Sequence, residues 1–95
     1  MMKSEEREHG NEKTRVTVSI YGEEYVIKGY ASPEYIKGIA AYVDKKMRLI
    51  GQKNPQLSVT RIAVLAALNI ADELSKLQED YDSLVKLLEE EKAIK

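Results

Sequence analysis

The sequence predicts an α+β fold: a small N-terminal head made of a β-hairpin and a helix, followed by a long C-terminal helix that forms a coiled coil in an oligomer. Two runs of β-prone residues flank Gly22, a helical apolar stripe follows Ser32-Pro33, and apolar residues recur at heptad spacing near the C-terminus. The predicted segments are a disordered tail at 1–13, a head with the start of the long helix at 14–73, and an oligomerisation segment at 74–95.

Composition limits the classes of function. The 95 residues suffice for one small domain, and 15 basic against 16 acidic side chains give no excess of positive charge for a nucleic-acid backbone. Cysteine is absent, and no apolar run approaches the roughly 20 residues that span a membrane. We therefore expect a soluble cytoplasmic protein with neither a nucleic acid nor a membrane as its partner.

The hairpin is predicted in RVTVSIYGEEYVIKGY. A type II′ turn takes glycine at its first central position, so Gly22-Glu23 is placed at the turn, which pairs Val18 with Ile27. An isolated hairpin is only marginally stable, so we expect the next helix to cover its apolar face. That face carries Val16, Val18, Ile20, Tyr25 and Ile27.

The first helix is predicted to begin after Ser32, a favourable N-cap residue, with Pro33 at its first position. Gly51, Asn54 and Pro55 are stop signals that place its end near Gln52. An apolar stripe at helical spacing is expected to face the hairpin. It consists of Ile36, Ile39, Ala40, Val43, Met47 and Ile50.

The second helix is predicted to begin after Ser58 and to run to about residue 93, because no Gly or Pro follows Pro55. Its length of roughly 50 Å exceeds the diameter of so small a domain. Its distal half would therefore need other chains to cover its apolar residues, and a second copy is the simplest partner. The predicted self-association residues are Ala63, Ala67, Ile70, Leu74, Leu77, Tyr81, Leu84 and Leu88.

Two further residues widen this apolar seam. Val85 and Leu87 fall at the e and g heptad positions when Leu74 is placed at a, which favours a four-helix arrangement over a two-stranded coil. The alternatives are a long helix bent back onto its own head and a helix that docks on a different protein.

The sequence contains no pattern typical of catalysis. The single histidine, His9, lies in the polar tail, and the absence of cysteine leaves no Cys/His pair. The glycines never cluster into a phosphate-binding loop, and the run EEE near the C-terminus points its side chains in different directions on a helix. We expect a protein that is not an enzyme and that binds no cofactor or metal.

Several stretches together resemble the ZapA family of bacterial cell division proteins, which bind the tubulin-like GTPase FtsZ and cross-link its protofilaments. The most specific are IYGEEY and AALNIADEL, and the resemblance covers about residues 14 to 90. It implies a dimer paired through the start of the long helix, and two dimers that meet antiparallel through the distal coiled coil. It also implies no enzymatic activity, no cofactor and a location at the midcell division ring.

The resemblance also implies which part of the head contacts FtsZ. Family members use charged residues near the hairpin and the first helix. Glu23 stands where the family has a basic residue just after IYG, so the candidate contacts are basic residues elsewhere on the head. They are Lys28, Lys37, Lys45, Lys46 and Arg48.

Three functional hypotheses follow. The first is a non-enzymatic adaptor that presents several FtsZ-binding heads on one oligomer. The second is a small dimeric DNA-binding or regulatory protein with a coiled-coil dimeriser, although no basic recognition helix is evident. The third, an enzyme subunit, would need a partner that supplies every catalytic group.

Overall fold

The computed structural model describes residues 13–94, and the chain divides between Leu57 and Ser58 into two compact units. The first unit contains strands β1 (Thr14–Ile20) and β2 (Glu23–Gly29) and helix α1 (Pro33–Lys53), and the second contains helix α2 (Val59–Ile94). The predicted α+β order of hairpin, helix and long helix is confirmed. The predicted tail lies outside the described residues except for Lys13, and the boundary between 73 and 74 stays a prediction.

The hairpin register differs from the predicted one. The strands pair antiparallel with Ile20 opposite Glu23 and Val18 opposite Tyr25, whereas the prediction paired Val18 with Ile27. The error is a shift of two residues, and side chains alternate between faces with a period of two. The predicted apolar face is therefore preserved although the predicted pairs are wrong.

The turn explains the shift. Tyr21 and Gly22 occupy its two central positions with φ angles of 51° and 83°, so both residues are left-handed, as a type I′ turn requires. The sequence-based assignment used a type II′ turn at Gly22-Glu23, because tyrosine is an uncommon residue at positive φ. The Tyr21 amide donates a hydrogen bond of 2.7 Å to the Asp44 carboxylate on α1. A residue distant in sequence thus supports the turn that local preference disfavours.

The core of the first unit lies between β1 and α1. Val16, Val18 and Ala40 are buried, and Ile20 and Ile36 pack against them. Ile27 was expected to be buried with them, but it is 37% exposed in the single chain. The reason is that α1 packs against β1, whereas β2 is the outer strand of the pair.

The ends of α1 follow its sequence signals. The Ser32 hydroxyl accepts a hydrogen bond of 3.2 Å from the Tyr35 amide, which confirms the predicted N-cap. At the other end the Asn54 backbone amide and side chain both donate to the Ile50 carbonyl, at 3.0 Å each. These bonds end the helix at Lys53, within one residue of the prediction.

Helix α2 begins as predicted, with the Ser58 hydroxyl accepting a hydrogen bond of 3.2 Å from the Arg61 amide. Its 36 residues correspond to about 54 Å. In the single chain Ile62 and Ala66 are buried near its start, whereas Ala63 and Ala67 of the predicted seam are exposed.

The two faces of the hairpin offer a matched test of this packing. Val18→Ala should lower the free energy of unfolding by about 2 kcal/mol, because Val18 is 6% exposed and its methyl groups would leave a cavity. Val26→Ala, on the opposite face and 56% exposed, should change it by less than about 0.5 kcal/mol. Thermal unfolding at one fixed protein concentration measures both, and equal losses would show that the inward face is assigned wrongly.

Candidate functional site

Three predicted contact residues lie together on one side of α1. Lys37, Lys45 and Arg48 are exposed and recur at spacings that place them within about a quarter of the helix circumference. Lys37 lines a shallow groove with Thr17 and Ser19 of β1. We call Lys37, Lys45 and Arg48 the basic stripe; Lys37 and Arg48 lie next to the hairpin, whereas Lys45 lies farther round the helix, away from the buried side that carries Ala40.

The other two predicted contact residues lie elsewhere. Lys28 is opposite Arg15 in the hairpin ladder, on the face directed away from the Val16–Val18 core. Lys46 is half-buried, unlike the exposed Lys45, and its Nζ lies 5.4 Å from the centre of the Tyr42 ring. Successive helical residues point about 100° apart, so Lys46 lies off the side of α1 that Lys45 occupies. The structure therefore gathers three of the five residues and separates two.

Asp44 joins the basic stripe to the hairpin turn. One carboxylate oxygen accepts the 2.7 Å bond from the Tyr21 amide, and the other accepts a bond of 2.9 Å from Arg48 Nε. The Arg48 guanidinium also lies 5.9 Å from the centre of the Tyr21 ring. We call this arrangement of Tyr21, Asp44 and Arg48 the Asp44 bridge.

The Asp44 bridge holds the aspartate in its charged form. The hydrogen bond from the Tyr21 backbone, and next the bond from the Arg48 side chain, keep the pKa of Asp44 below its ordinary value of 3.8. Partial burial opposes them. Sequence analysis missed this residue because Asp44 reads as one more polar position on α1. The only local signal was the i, i+4 spacing to Arg48.

Charge is segregated along the chain, which the near-zero net charge conceals. Residues 13–57 carry eight basic and four acidic side chains, whereas residues 58–94 carry four basic and eight acidic ones. Residues 13–57 of the first unit are thus net positive by four, and the long helix is net negative by four. A count by segment rather than over the whole chain would have found this signal.

Part of the positive charge lies on the outer face of the hairpin, which sequence analysis also missed. Arg15 and Lys28 are directly opposite each other, and Lys13 Nζ lies 5.8 Å from the centre of the Tyr30 ring. Like charges directly opposite each other disfavour the sheet. The pairing of Arg15 with Lys28 depends on the strand register, which the sequence-based turn assignment had placed two residues away.

An apolar groove of about 210 Å³ opens between the hairpin and α1. Its lining is wholly apolar, and three of its residues, Ile27, Tyr35 and Ile39, are 37 to 61% exposed in the single chain. The lining residues are Val18, Ile20, Ile27, Tyr35, Ile36, Ile39, Ala40 and Val43.

The predicted seam on α2 presents a second apolar surface. Its large residues from Leu74 onwards are between 55 and 66% exposed in the single chain. Ile70, one turn earlier, is half-buried. Contiguous exposed apolar surface of this length is unusual on a protein that works alone. The exposed seam residues are Leu74, Leu77, Tyr81, Leu84 and Leu88.

No pattern typical of an active site accompanies these surfaces in the part of the chain that the structure describes. Within residues 13–94, no three His, Cys, Asp or Glu side chains are grouped so that they could hold a metal ion. Within the same residues, neither helix combines the length and the apolar character that crossing a membrane requires.

Comparison with known proteins identifies close relatives. The family described as "Cell division protein ZapA" matches residues 16–95. The chain is 53% identical to the Cell division protein ZapA of Halalkalibacterium halodurans, over 77% of this chain and 80% of that protein. It is 51% identical to that of Geobacillus kaustophilus, over 87% of this chain and 91% of that protein.

A solved structure resembles the chain as well. It is described as a ZapA mutant dimer from Geobacillus stearothermophilus, and its sequence is 43% identical to this one. The superposition has a TM-score of 0.65 and covers 94% of this chain and 95% of that chain. The likeness therefore extends over both the hairpin-helix unit and the long helix.

The Asp44 bridge predicts a specific pH dependence. Because the pKa of Asp44 is lowered in the folded state, its stabilisation is complete above the unfolded pKa near 3.8 and is lost as the pH falls through the lower, folded value. Asp44→Asn should thus lower the unfolding temperature at pH 7, and the difference from the parent should disappear towards pH 2. Thermal unfolding followed by circular dichroism at a series of pH values measures the difference in unfolding temperature between the variant and the parent.

Asp72→Asn is the matched control for this measurement. Asp72 also pairs with a basic residue at i+4, with Lys76 Nζ 3.1 Å from its carboxylate, but both side chains are largely exposed. We expect a smaller change in unfolding temperature. A difference between the Asp44→Asn variant and the parent that persisted unchanged at pH 2 would contradict the role of the charge.

Proposed function

The chain belongs to the ZapA family of cell division proteins, and on that premise we propose that it is a non-enzymatic adaptor that binds FtsZ and cross-links its protofilaments. The adaptor would act in the cytoplasm at the midcell division ring. The observation that carries this proposal is the combination of a basic head surface with an uncovered apolar seam on the long helix. The first surface suits binding to another protein, and the second suits joining several copies.

The basic stripe is the proposed FtsZ contact. Lys37, Lys45 and Arg48 are exposed on a rigid helix, and they belong to the unit with the positive charge. An acidic partner would be attracted to this surface before contact, which raises the association rate. Lys28 contributes from the outer face of the hairpin, and we assign Lys46 a smaller part because it is half-buried.

Self-association is proposed through the apolar surfaces. A second copy would cover the exposed seam on α2 and the apolar groove of the head. The similar ZapA structure from Geobacillus stearothermophilus is described as a dimer, which supports this part of the proposal. We propose further that two dimers meet antiparallel through the distal seam from Leu74 to Leu88, so that heads lie at both ends.

Linked heads give the mechanism. A single head need bind a filament only weakly, because the remaining heads of the oligomer are held nearby at a high effective concentration. Heads at both ends can engage two filaments at once. The adaptor would thus stabilise bundles without any catalytic step.

A DNA-binding protein is the second candidate, because the positive charge of residues 13–57 is a feature that favours it. Such binding would weaken steeply as salt increases, with a slope set by the number of phosphate contacts. A labelled DNA duplex titrated with the protein at two salt concentrations tests this candidate alongside FtsZ.

Lys45→Glu should weaken binding to FtsZ. The side chain is exposed in the basic stripe, so reversal of its charge removes an attraction and adds a repulsion without disturbing the core. Co-sedimentation with GTP-assembled FtsZ at low salt measures the effect, and light scattering checks that the oligomer is intact.

Lys86→Glu is the matched control, because it makes the same charge change at an exposed position of α2. Its binding should stay within about twofold of the parent, since Lys86 is not among the proposed contact residues. Equal binding by the parent and both variants would place the FtsZ contact outside the basic stripe.

Leu84→Glu should dissociate the distal assembly. Leu84 lies at a d position of the seam and is 55% exposed in the single chain, so only other chains can bury it. A carboxylate there costs several kcal/mol to bury beside equivalent carboxylates. We expect a lower mass by light scattering, and filaments without bundles by electron microscopy.

Ser83→Glu introduces the same side chain one residue earlier, off the seam. It should retain both the mass and the bundles, because position c of the heptad faces solvent. A Leu84→Glu protein with the parental mass and normal bundling would overturn the proposed distal assembly.

A further inference from the structure

We infer that Asp44 is a positioning residue for partner binding: it fixes the hairpin turn and Arg48 in one arrangement, so that the turn and the basic stripe form a single preorganised surface. This inference rests on the proposed function, in which the head binds FtsZ. Asp44 is an acidic residue within a surface whose proposed contact residues are basic. The sequence alone offered no reason to assign Asp44 a role.

The geometry supports a role beyond charge pairing. The two carboxylate oxygens of Asp44 accept from different partners, the Tyr21 backbone amide at 2.7 Å and Arg48 Nε at 2.9 Å. One partner belongs to the hairpin turn and the other to α1. Asp44 thus joins a loop to a helix face, whereas an ordinary i, i+4 pair such as Asp72–Lys76 lies within one helix.

The turn needs this support. Tyr21 has a φ of 51°, a left-handed conformation that is unfavourable for a non-glycine residue. Glu23 and Glu24 follow directly, so a turn that relaxed would carry their two charges to new positions beside the basic stripe. The amide bond to Asp44 opposes that relaxation.

Arg48 also benefits from the bridge. Its side chain is 55% exposed, and a free arginine on a helix samples many rotamers. The bond at Nε and the contact with the Tyr21 ring hold the guanidinium while its terminal nitrogens stay available to a partner. Ordering before binding removes an entropic cost from the binding step.

Charge and positioning predict opposite effects for removal of Asp44. Loss of a negative charge makes the head more basic, so charge alone predicts tighter binding to an acidic partner. Loss of the bridge frees Arg48 and the turn, so positioning predicts weaker binding, by about three- to tenfold for one rotamer-rich side chain. The direction of the change therefore distinguishes the two.

The experiment compares Asp44→Asn and Asp44→Ala with the parent in co-sedimentation with GTP-assembled FtsZ. Asparagine keeps an oxygen that can accept from the Tyr21 amide but loses the charge that holds Arg48, and alanine loses both. We expect the affinity to fall from parent to Asn to Ala. Hydrogen exchange at the Tyr21 amide should quicken in the same order, and circular dichroism at the assay temperature should show a folded chain.

Asp72→Asn and Asp72→Ala are the controls, because they remove the same charge from the i, i+4 pair on α2. They should bind as the parent does. If the Asp44 variants bind FtsZ as tightly as the parent or more tightly, the positioning role is wrong, although FtsZ binding stands. The positioning role is also wrong if the Asp72 variants lose as much affinity for FtsZ as the Asp44 variants do. If the parent itself fails to bind FtsZ, the proposed function is wrong and the positioning role falls with it. If the Asp44→Ala variant does not fold, the affinity of the Asp44→Asn variant for FtsZ alone tests the positioning role.

Discussion

The constraint on which the head depends is that a two-stranded hairpin has one apolar face and only one helix to cover it. Helix α1 meets this requirement by packing against β1, which buries Val16 and Val18 and leaves six of the seven residues of β2 exposed in the single chain. The same packing sets the side of α1 that remains available. Lys37, Asp44 and Arg48 lie next to the hairpin because the apolar stripe of α1 has already been oriented by the core. The position of the proposed contact surface is thus a consequence of hydrophobic burial.

The sequence was sufficient for features set by local chemistry. Ser32 and Ser58 mark the starts of the helices, and the alternation of the strands identifies the inward face, since each signal lies within a few residues of its effect. The register was not predictable in this way. It depends on Tyr21 at positive φ, and the contact that supports Tyr21 comes from Asp44, far away in sequence. Because a register error of two residues leaves every side chain on the same face of the hairpin, the inward face was predicted correctly although the turn was not.

The candidate site was predicted in part for a similar reason. Basic residues on α1 were identifiable from composition, but their grouping depends on helical phase: Lys45 lies with the stripe, while Lys46 turns towards Tyr42. The Asp44 bridge could not be predicted, because it combines a backbone amide of the turn with a side chain of the helix. Nor does the net charge of the whole chain reveal that its two units carry opposite charges.

That segregation also bears on how the long helices would assemble. Glu89, Glu90 and Glu91 form an acidic cluster near the C-terminal end of α2, where the helix dipole already disfavours negative charge. In a parallel coiled coil these clusters would lie side by side and repel one another at short range. An antiparallel arrangement over the seam from Leu74 to Leu88 would separate the two clusters, but it would set each one near residues 71–73 of its neighbour, where Asp72 and Glu73 are also acidic. Charge near the seam therefore opposes association in both directions, and the apolar residues at positions a and d must supply the attraction in either one.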